Sequence, residues 1–455
     1  MSSVIRMDLH KQDSLVTWAA KRMRPVFPVV VPLRYGSEEA SRACVNPGDS
    51  VRAGDVIARA ASAAGITRHA SVSGCVREIG MFQHPLGGRR EGIWIEPAPF
   101  GEPWRGGPEA KFSGGESLFS FFRSKGLVDF SRDMEPLHTK LQRFEANRPE
   151  VLIINGCDAE PYLTSHYALA MAHPLEILKG AEGCRKAAGI ARLIFVFQQD
   201  QEHALELLRS KIFFQRLAHV EVITVPAAYP HGLDEMVLRA VVSKHLASSE
   251  SSRGFSAQML QMATAYAAYE ALELGKPLME RLVTVAGECA VEAHNVWLPL
   301  GVSFQDAFRA CGGFLRDPAM VLMNGPMIGW PQKSVEVPVL PAASAVLALP
   351  PERVARAEEA PCNRCGDCVQ ACPSGLSPAD ITLAVERGLS ELTPAMGLEA
   401  CIRCGLCAYV CPSERPMQKL IAEAFSALGT QSPSLPAADH FAFPVSSPLA
   451  PASIQ

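Results

Sequence analysis

Eight cysteines near the end of the chain have the spacing that binds a metal cofactor. They form two runs of the same pattern, C-x2-C-x2-C-x3-C-P, separated by a spacer with helical character. Three thiolates separated by two residues each can bind three irons of one cubane cluster. The fourth cysteine, which precedes a proline, leaves the loop and can reach a second cluster. The chemistry indicated is therefore one-electron transfer.

This spacing is typical of bacterial ferredoxins with two [4Fe–4S] clusters, in which the fourth cysteine of each run binds the cluster of the other run. The predicted ligand sets are Cys362, Cys365, Cys368 and Cys411 for one cluster, and Cys372, Cys401, Cys404 and Cys407 for the other. A single C-x-x-C pair also occurs in zinc sites and in redox disulfides. Two complete and matched runs favour the clusters over both alternatives.

The composition limits the class of protein. The chain has 455 residues, a formal net charge of −4 at pH 7 and 14 cysteines. Its length predicts several domains. The slightly negative net charge argues against binding to nucleic acid. We expect neither a signal peptide nor a membrane-spanning segment, because the N-terminus is polar and no run of about 18 apolar residues occurs.

The other cysteines and the histidines lie singly along the chain. The six cysteines outside the runs indicate a reducing compartment and buried structural thiols; they are Cys44, Cys75, Cys157, Cys184, Cys289 and Cys311. His10, His69 and His138 are isolated too, so each is predicted to be a surface or structural residue. No catalytic acid, base or nucleophile is predicted.

The predicted fold class is multidomain α/β. Residues 1–25 have the pattern of a basic amphipathic leader, either a surface helix or a segment that docks on a membrane partner. Residues 26–100 alternate short strands with turn residues such as Asn46-Pro47-Gly48-Asp49, a pattern similar to the barrel-sandwich hybrid fold. No lysine occurs between Lys21 and Lys111. This barrel therefore cannot carry a swinging arm attached to a lysine.

The middle of the chain predicts a Rossmann-like α/β domain over residues 115–250. Short apolar runs at 151–154, 193–197 and 220–225 predict buried strands, and helical segments such as 202–214 lie between them. Polar residues 155–161 follow the first strand, at the sheet edge where such folds bind ligands. No G-x-G-x-x-G motif and no P-loop accompanies them.

The remaining segments complete the predicted organisation. Residues 255–335 predict a β-grasp, SLBB-like module, with a strand near 281–288, and residues 336–360 predict a linker that still packs. Residues 361–428 predict a helical, ferredoxin-like domain with two clusters. Its spacer helix should begin with Ser377 and Pro378 and end near Gly388. Residues 429–455, rich in serine, proline and alanine, predict a disordered tail.

Several motifs together resemble the RnfC family, from about residue 26 to residue 425. The family contains the peripheral, cluster-bearing subunit of the Rnf (Rsx) ion-translocating electron-transport complex, and is similar to the flavin-bearing, NADH-oxidising subunit of respiratory complex I. Besides the barrel and the cysteine runs, the motifs are Asn155-Gly156, Glu160-Pro161-Tyr162-Leu163-Thr164, Tyr229-Pro230-x-Gly232, Thr264-Ala265-Tyr266, Gly275-Lys276-Pro277-Leu278, Arg281-Leu282-Val283-Thr284 and Gly325-Pro326-Met327-Ile328-Gly329.

The resemblance implies partners and a location. It implies integral membrane subunits that move Na⁺ or H⁺, and a soluble or cytochrome-type electron donor or acceptor. It also implies a peripheral position on the cytoplasmic side of the inner membrane.

One loop departs from the family pattern. Family members carry a glycine-rich loop that cradles the flavin phosphate and faces NADH, and residues 125–141 align with it without a gap. Gly126, Pro136, Lys140 and Leu141 are kept. The cradle glycines are replaced, in order, by Asp129, Ser131, Arg132 and Met134. Side chains here would fill the space of the phosphate, and the added carboxylates would repel it.

We therefore expect this chain to bind no FMN and not to oxidise NADH itself, so that it works as an electron wire. A first alternative is an ordinary FMN-dependent NADH:ferredoxin-type subunit, in which a rebuilt loop with Asn155, Asp158 and Glu160 still holds flavin. A second alternative is a soluble iron–sulfur adaptor that feeds another reductase.

Overall fold

The computed structural model describes residues 20–24, 26–99, 101–106, 111–248, 256–354 and 360–429. Most of the predicted leader and the predicted tail from residue 430 onward lie outside these ranges. The described end of the leader is not helical, because β1 (Lys21–Arg22) pairs in parallel with residues 296–297 of a later strand. None of the helices in the described ranges has the length and apolar character needed to cross a membrane.

The first domain consists of two small antiparallel sheets, as the barrel-sandwich prediction requires. Its strands are β2 (Val29–Pro32), β3 (Arg42–Ala43), β4 (Ser50–Val51), β5 (Val56–Arg59), β6 (Arg68–His69), β7 (Gly74–Gln83) and β8 (Arg89–Pro97). One sheet has the order β2-β8-β7-β4 and the other β3-β5-β6. Val29, Ile57 and Ile93 are completely buried between them, so the apolar positions of the strands form the core that joins the sheets.

The second domain has a four-stranded, fully parallel sheet of order β11-β10-β9-β12. The strands are β9 (Val151–Asn155), β10 (Arg192–Gln198), β11 (Val220–Val225) and β12 (Ala257–Gln261), and the helices are α1 (Leu118–Ser124), α2 (Leu137–Asn147), α3 (Ser165–Ala172), α4 (Pro174–Ala187), α5 (Glu202–Phe214), α6 (Asp234–Ser248) and α7 (Met262–Tyr269). β9 is buried at every position, as expected of a parallel strand covered on both faces.

The order of these strands creates a switch point. β10 and β11 lie on one side of β9, and β12 lies on the other, so the carboxyl ends of β9 and β12 flank a crevice of the kind that binds ligands in open α/β sheets. The predicted boundary at residue 255 is wrong, because β12 pairs with β9 and α7 packs on α4. Sequence signals did not reveal this, since the pairing joins segments a hundred residues apart.

The third unit is a six-stranded mixed sheet of order β1-β14-β13-β17-β15-β16. Its other elements are β13 (Glu280–Ala286), β14 (His294–Pro299), α8 (Phe304–Arg309), β15 (Met320–Met323), β16 (Trp330–Gln332) and β17 (Ala345–Leu349). The predicted linker at 336–360 is wrong, because β17 lies inside the sheet and is buried at all five positions. The β-grasp assignment of this unit stays a prediction.

The C-terminal domain is a small group of short helices. They are α9 (Asp367–Gln370), α10 (Pro378–Glu386), α11 (Leu406–Tyr409) and α12 (Met417–Ala427). α10 begins after Ser377 and ends just before Gly388, whose φ is +71°, as the capping residues predicted. The Ser377 hydroxyl, however, bonds the Asp380 carboxylate at 2.6 Å rather than a backbone N–H.

Close packing of α4 on α7 positions the start of α7, which contributes to the site described below. A methyl group on Gly180 would lie 1.8 Å from the backbone oxygen of Ala265. A methyl group on Gly183, one turn later on the same helix, would meet only the flexible end of Leu272. Gly180 is therefore required for close approach of the two helix backbones.

We expect Gly180→Ala to lower the free energy of unfolding by at least about 1–3 kcal/mol, the usual cost of overpacking, although alanine favours the helix by about 1 kcal/mol. Thermal unfolding followed by circular dichroism measures the change. Gly183→Ala is the matched control and should be nearly neutral. Equal effects of the two variants would contradict the close-approach explanation.

Candidate metal centre and adjoining cavity

The two cysteine runs fold into loops of the same conformation. Arg364 and Arg403, at the third position of each run, have φ values of +60° and +53°. Gly366 and Gly405, two residues later, have φ values of +86° and +78° and precede α9 and α11. The two left-handed residues coil each loop in the same way, so the sequence repeat is also a structural repeat.

The structure brings one predicted ligand set together around an apolar cavity. The cavity measures about 570 Å³ out to its mouth, and Cys372, Cys401, Cys404 and Cys407 all line it. Three of these come from the second run and one from the first, as the crossed pattern predicts. Backbone N–H groups of Leu376 and Arg403 donate to the sulfurs of Cys372 and Cys401, each at 3.4 Å. We call this cavity the second cluster pocket.

The other predicted set also gathers in one place. Cys368 and Cys411, one from each run, pack in the same small apolar group of side chains. Burial raises the pKa of the Cys368 thiol, and the nearby thiols of Cys411, Cys365 and Cys362 raise it further. Cys368 is buried, but Cys365 is exposed. The first ligand set therefore lies nearer the solvent than the second set, of which no member is exposed.

The donor set fits iron–sulfur cubanes. Among the described residues, no three histidine, cysteine, aspartate or glutamate side chains lie close enough together to share one metal ion. A cubane has a different requirement, because each thiolate binds its own iron and the four sulfurs stand apart around the cluster. A wide apolar pocket with four thiols on its wall and N–H donors to sulfur meets this requirement.

The altered loop holds a buried ion pair. Asp129 is completely buried, and its carboxylate accepts hydrogen bonds from Lys140 Nζ at 2.6 Å and Thr264 Oγ1 at 2.6 Å. The backbone N–H of Gln261 donates to the same carboxylate at 3.2 Å. Burial alone would raise the pKa of Asp129, but Lys140 and these hydrogen bonds lower it overall. The pair is therefore ionised.

The other replaced positions also pack inward. Met134 is fully buried and keeps a left-handed backbone with φ of +50°, a conformation that normally favours glycine. The Arg132 guanidinium donates to the backbone oxygen of Ile328 at 2.7 Å and lies 4.3 Å from the centre of the Trp330 ring. Ser131 Oγ donates to Asp133 at 2.6 Å. Side chains thus occupy the loop where a phosphate cradle needs open backbone.

These residues do not fit a flavin phosphate as they stand. The retained lysine, the hydroxyl of Thr264 and the N–H of Gln261 already bind the Asp129 carboxylate, so they are not available to an external anion. The structure thus gives the site an internal anion in place of an external one.

A large cavity nevertheless lies beside the loop. It measures about 1300 Å³ with its open side, and its wall includes Phe130, Asn155, Glu160, Gln261 and Arg403. Asn155 and Gln261 end β9 and β12, so the cavity occupies the switch point of the parallel sheet. Ile402 and Arg403 line both this cavity and the second cluster pocket. The two spaces therefore share one wall.

The three polar residues that were predicted as alternative flavin ligands form hydrogen bonds with other groups of the protein. Asn155 Nδ2 donates to Asp234 at 2.7 Å, and Asp158 accepts the backbone N–H groups of residues 166 and 167. Glu160 accepts the N–H groups of Gly325, Met327 and Ile328 at 3.1, 2.9 and 2.8 Å. Burial raises the pKa of Glu160, partly opposed by these N–H groups and by Arg132. Glu160 thus fixes the segment 325–328 against the cavity.

Sequence reasoning missed the contacts that hold the cluster domain. The Tyr229 hydroxyl donates to the backbone oxygen of Cys404, and Gln418 donates to Met327 O at 2.9 Å. Arg239, on α6, donates to Ser374 and to Ala400 O at 3.2 and 3.4 Å. Tyr229 stood in a family motif, but no local signal linked it to a cysteine loop 175 residues away.

The isolated residues show no common site. His69 bonds backbone oxygens of Gly54 and Ser124, and His138 bonds Ala63 O, whereas His10 lies outside the described residues. Of the six single cysteines, four are buried as predicted, and Cys44 and Cys75 are exposed, which corrects the prediction for those two.

Comparisons with protein-family models agree with this architecture. A model described as the RnfC barrel sandwich hybrid domain matches residues 5–99, and one described as a 4Fe-4S dicluster domain matches residues 361–415. A third, described as the Nuo51 FMN-binding domain, matches residues 122–270, which include the altered loop and the parallel sheet. The chain is thus a multidomain α/β protein with a barrel-sandwich domain, a domain of the FMN-binding type and an iron–sulfur dicluster domain.

Curated relatives extend over most of the chain. A subunit of the proton-translocating ferredoxin:NAD(+) oxidoreductase complex of Clostridium ljungdahlii is 27% identical over 402 residues, 86% of each chain. A subunit of the Na(+)-translocating ferredoxin:NAD(+) oxidoreductase complex of Acetobacterium woodii is 26% identical and aligns over 79% of this chain and 82% of its own. A subunit of the ion-translocating oxidoreductase complex of Rhodobacter capsulatus is 28% identical over 81% and 72%. The predicted resemblance to the RnfC family is confirmed.

We expect Asp129→Asn to lower the free energy of unfolding by about 3–5 kcal/mol, because it leaves the buried Lys140 without its partner. Thermal or denaturant unfolding measures the change. Asp133→Asn, four residues along the same loop, is the control and should change stability by less than about 1 kcal/mol. A similar loss in both variants would show that the ion pair is not what stabilises the loop.

The pH dependence follows from the lowered pKa of Asp129. The ion pair contributes its full stability above the unfolded-state value of about 3.9, and that contribution is lost as the pH falls through the lower folded value. The wild-type protein should therefore lose more stability than Asp129→Asn below about pH 4.

Proposed function

We propose that this chain is an electron-transfer subunit of a membrane-associated, ion-translocating oxidoreductase complex, and that it relays electrons through two [4Fe–4S] clusters. The observation that carries the proposal is the second cluster pocket, whose wall combines cysteines of both runs in the crossed arrangement. The names of the curated relatives support the assignment to a complex of this type.

Eight cysteines are proposed as cluster ligands. Cys362, Cys365, Cys368 and Cys411 hold the first cluster, and Cys372, Cys401, Cys404 and Cys407 hold the second. The clusters supply one-electron transfer. The chain holds them between two ends, since the second pocket shares a wall with the large cavity and the first lies near the exposed Cys365. Electrons can therefore enter at one end and leave at the other.

The proposed location and partners are those that the resemblance to the RnfC family implies. The subunit is peripheral, on the cytoplasmic side of the inner membrane, and it assembles with integral membrane subunits. A soluble or cytochrome-type protein exchanges electrons with it. The soluble adaptor remains the alternative if no membrane subunits accompany the chain.

We also propose that the chain binds no FMN and does not oxidise NADH itself. The support is the Asp129 carboxylate, which occupies Lys140, Thr264 and the N–H of Gln261. Two observations favour the ordinary flavin-bearing subunit instead: the match to an FMN-binding model over residues 122–270, and the size of the cavity at the switch point. A direct cofactor measurement is therefore the decisive experiment.

Protein purified anaerobically should contain about eight iron atoms and eight acid-labile sulfides per chain, as two [4Fe–4S] clusters require. It should retain no stoichiometric flavin after incubation with FMN and gel filtration, and NADH should not bleach its visible absorbance. One FMN per chain that is bleached by NADH would refute the flavin-free proposal and leave the clusters in place.

The crossed ligand sets predict which cluster each fourth cysteine serves. Cys411→Ala should remove the first cluster and Cys372→Ala the second, each lowering the iron content by about half or converting one cluster to a three-iron form. Electron paramagnetic resonance of the reduced variants identifies the cluster that survives. The uncrossed assignment, in which Cys372 serves the first run, predicts the opposite pairing of variant and lost signal.

A further inference from the structure

Each of the two cysteine runs carries an arginine at its third position, and the two arginines have different surroundings. Arg364 and Arg403 occupy the same position of their runs and share the left-handed backbone. Arg364 is exposed, whereas Arg403 is only partly exposed. The chain therefore contains a natural comparison between the same residue at an exposed position and at a partly buried one.

Arg403 lies in the wall between the second cluster pocket and the large cavity. Its guanidinium is 5.1 Å from the centre of the Phe425 ring, and its Nη1 is buried without a hydrogen-bond partner among the described residues. Cys401 and Glu235 interact with it electrostatically, and no carboxylate of the described residues forms a hydrogen bond with its Nη1. Its charge is therefore not cancelled by a direct partner.

We propose that Arg403 raises the reduction potential of the cluster in the second pocket. This inference rests on the proposed function, because it requires both clusters. A cluster gains a negative charge on reduction, so a nearby cation stabilises the reduced form. Solvent and salt screen a partly buried charge less than an exposed one.

The matched residue should have little effect. The guanidinium of Arg364 is exposed, and water and salt screen its charge. Solvent near Cys365 also favours the reduced form of the first cluster and so raises its reduction potential. This opposes the effect of Arg403 on the difference in reduction potential between the two clusters. The inference therefore concerns the contribution of Arg403 and not the sign of the total difference.

The test compares Arg403→Gln with Arg364→Gln in the full chain. Both substitutions remove one charge and keep the backbone N–H, including the bond from residue 403 to the Cys401 sulfur. Redox titration followed by electron paramagnetic resonance gives the potential of each cluster, and Cys411→Ala and Cys372→Ala assign the signals. Iron content and both resonances must match the wild type before potentials are compared, so loss of a cluster is not mistaken for a shift.

In Arg403→Gln the ratio of reduced to oxidised second cluster at a fixed potential should fall about tenfold, which for a one-electron couple is 59 mV. In Arg364→Gln neither cluster should change by more than about twofold. Arg403→Lys keeps the charge and should restore most of the wild-type potential. If the Arg403→Gln protein does not assemble both clusters, Arg403→Met serves as the second neutral variant.

Three results would overturn the inference. These are an unchanged second cluster in the neutral variants, an equal shift in Arg364→Gln, and a shift that Arg403→Lys does not restore. None of them affects the proposed function as long as both clusters are present. Absence of the clusters from the wild-type protein would instead remove the proposed function itself.

Discussion

The buried ion pair between Asp129 and Lys140 is the interaction on which the centre of the molecule depends. It joins the altered loop to α2, and through Thr264 and Gln261 it joins both to the end of β12 and the start of α7. A charged pair without water is stable only when its remaining hydrogen-bonding capacity is satisfied. Here the backbone N–H of Gln261 at the end of β12 and the hydroxyl of Thr264 in α7 donate to the Asp129 carboxylate. The loop becomes part of the core, and Met134 fills space beneath it.

A second buried carboxylate orders the opposite side of the cavity. The Glu160 carboxylate accepts hydrogen bonds from the backbone N–H groups of Gly325, Met327 and Ile328, and the Met327 backbone oxygen in turn accepts one from Gln418 of α12. The end of the parallel sheet is thereby connected to the six-stranded sheet and to the cluster domain. Tyr229 adds a direct bond to the second cysteine loop. Hydrogen bonds between three domains therefore hold the large cavity and the second cluster pocket in their relative positions.

Local patterns in the sequence were sufficient for some elements and not for others. The helix at Glu202–Phe214 and the strand at Val220–Val225 have the predicted bounds, because their periodicity and apolar runs are local. β17 was predicted as part of a linker, because the segment around it is rich in proline and alanine, and only its pairing with β13 and β15 reveals a strand. The spacing predicted the set Cys372, Cys401, Cys404 and Cys407 that lines one cavity, whereas the partner of Asp129 and the position of Arg403 depend on contacts between distant segments.

The match to an FMN-binding family model and the side chains of the altered loop describe different aspects of one domain. The match over residues 122–270 includes both the parallel sheet and the loop, and a shared scaffold does not determine the ligand. The ligand depends on a few loop positions, and here Asp129 and Met134 have changed the charge and the volume of that loop. The same reasoning applies to the cysteine repeats. Their backbones are alike, so any difference between the two clusters must come from their neighbours, and Arg403 is the neighbour whose counterpart, Arg364, faces water.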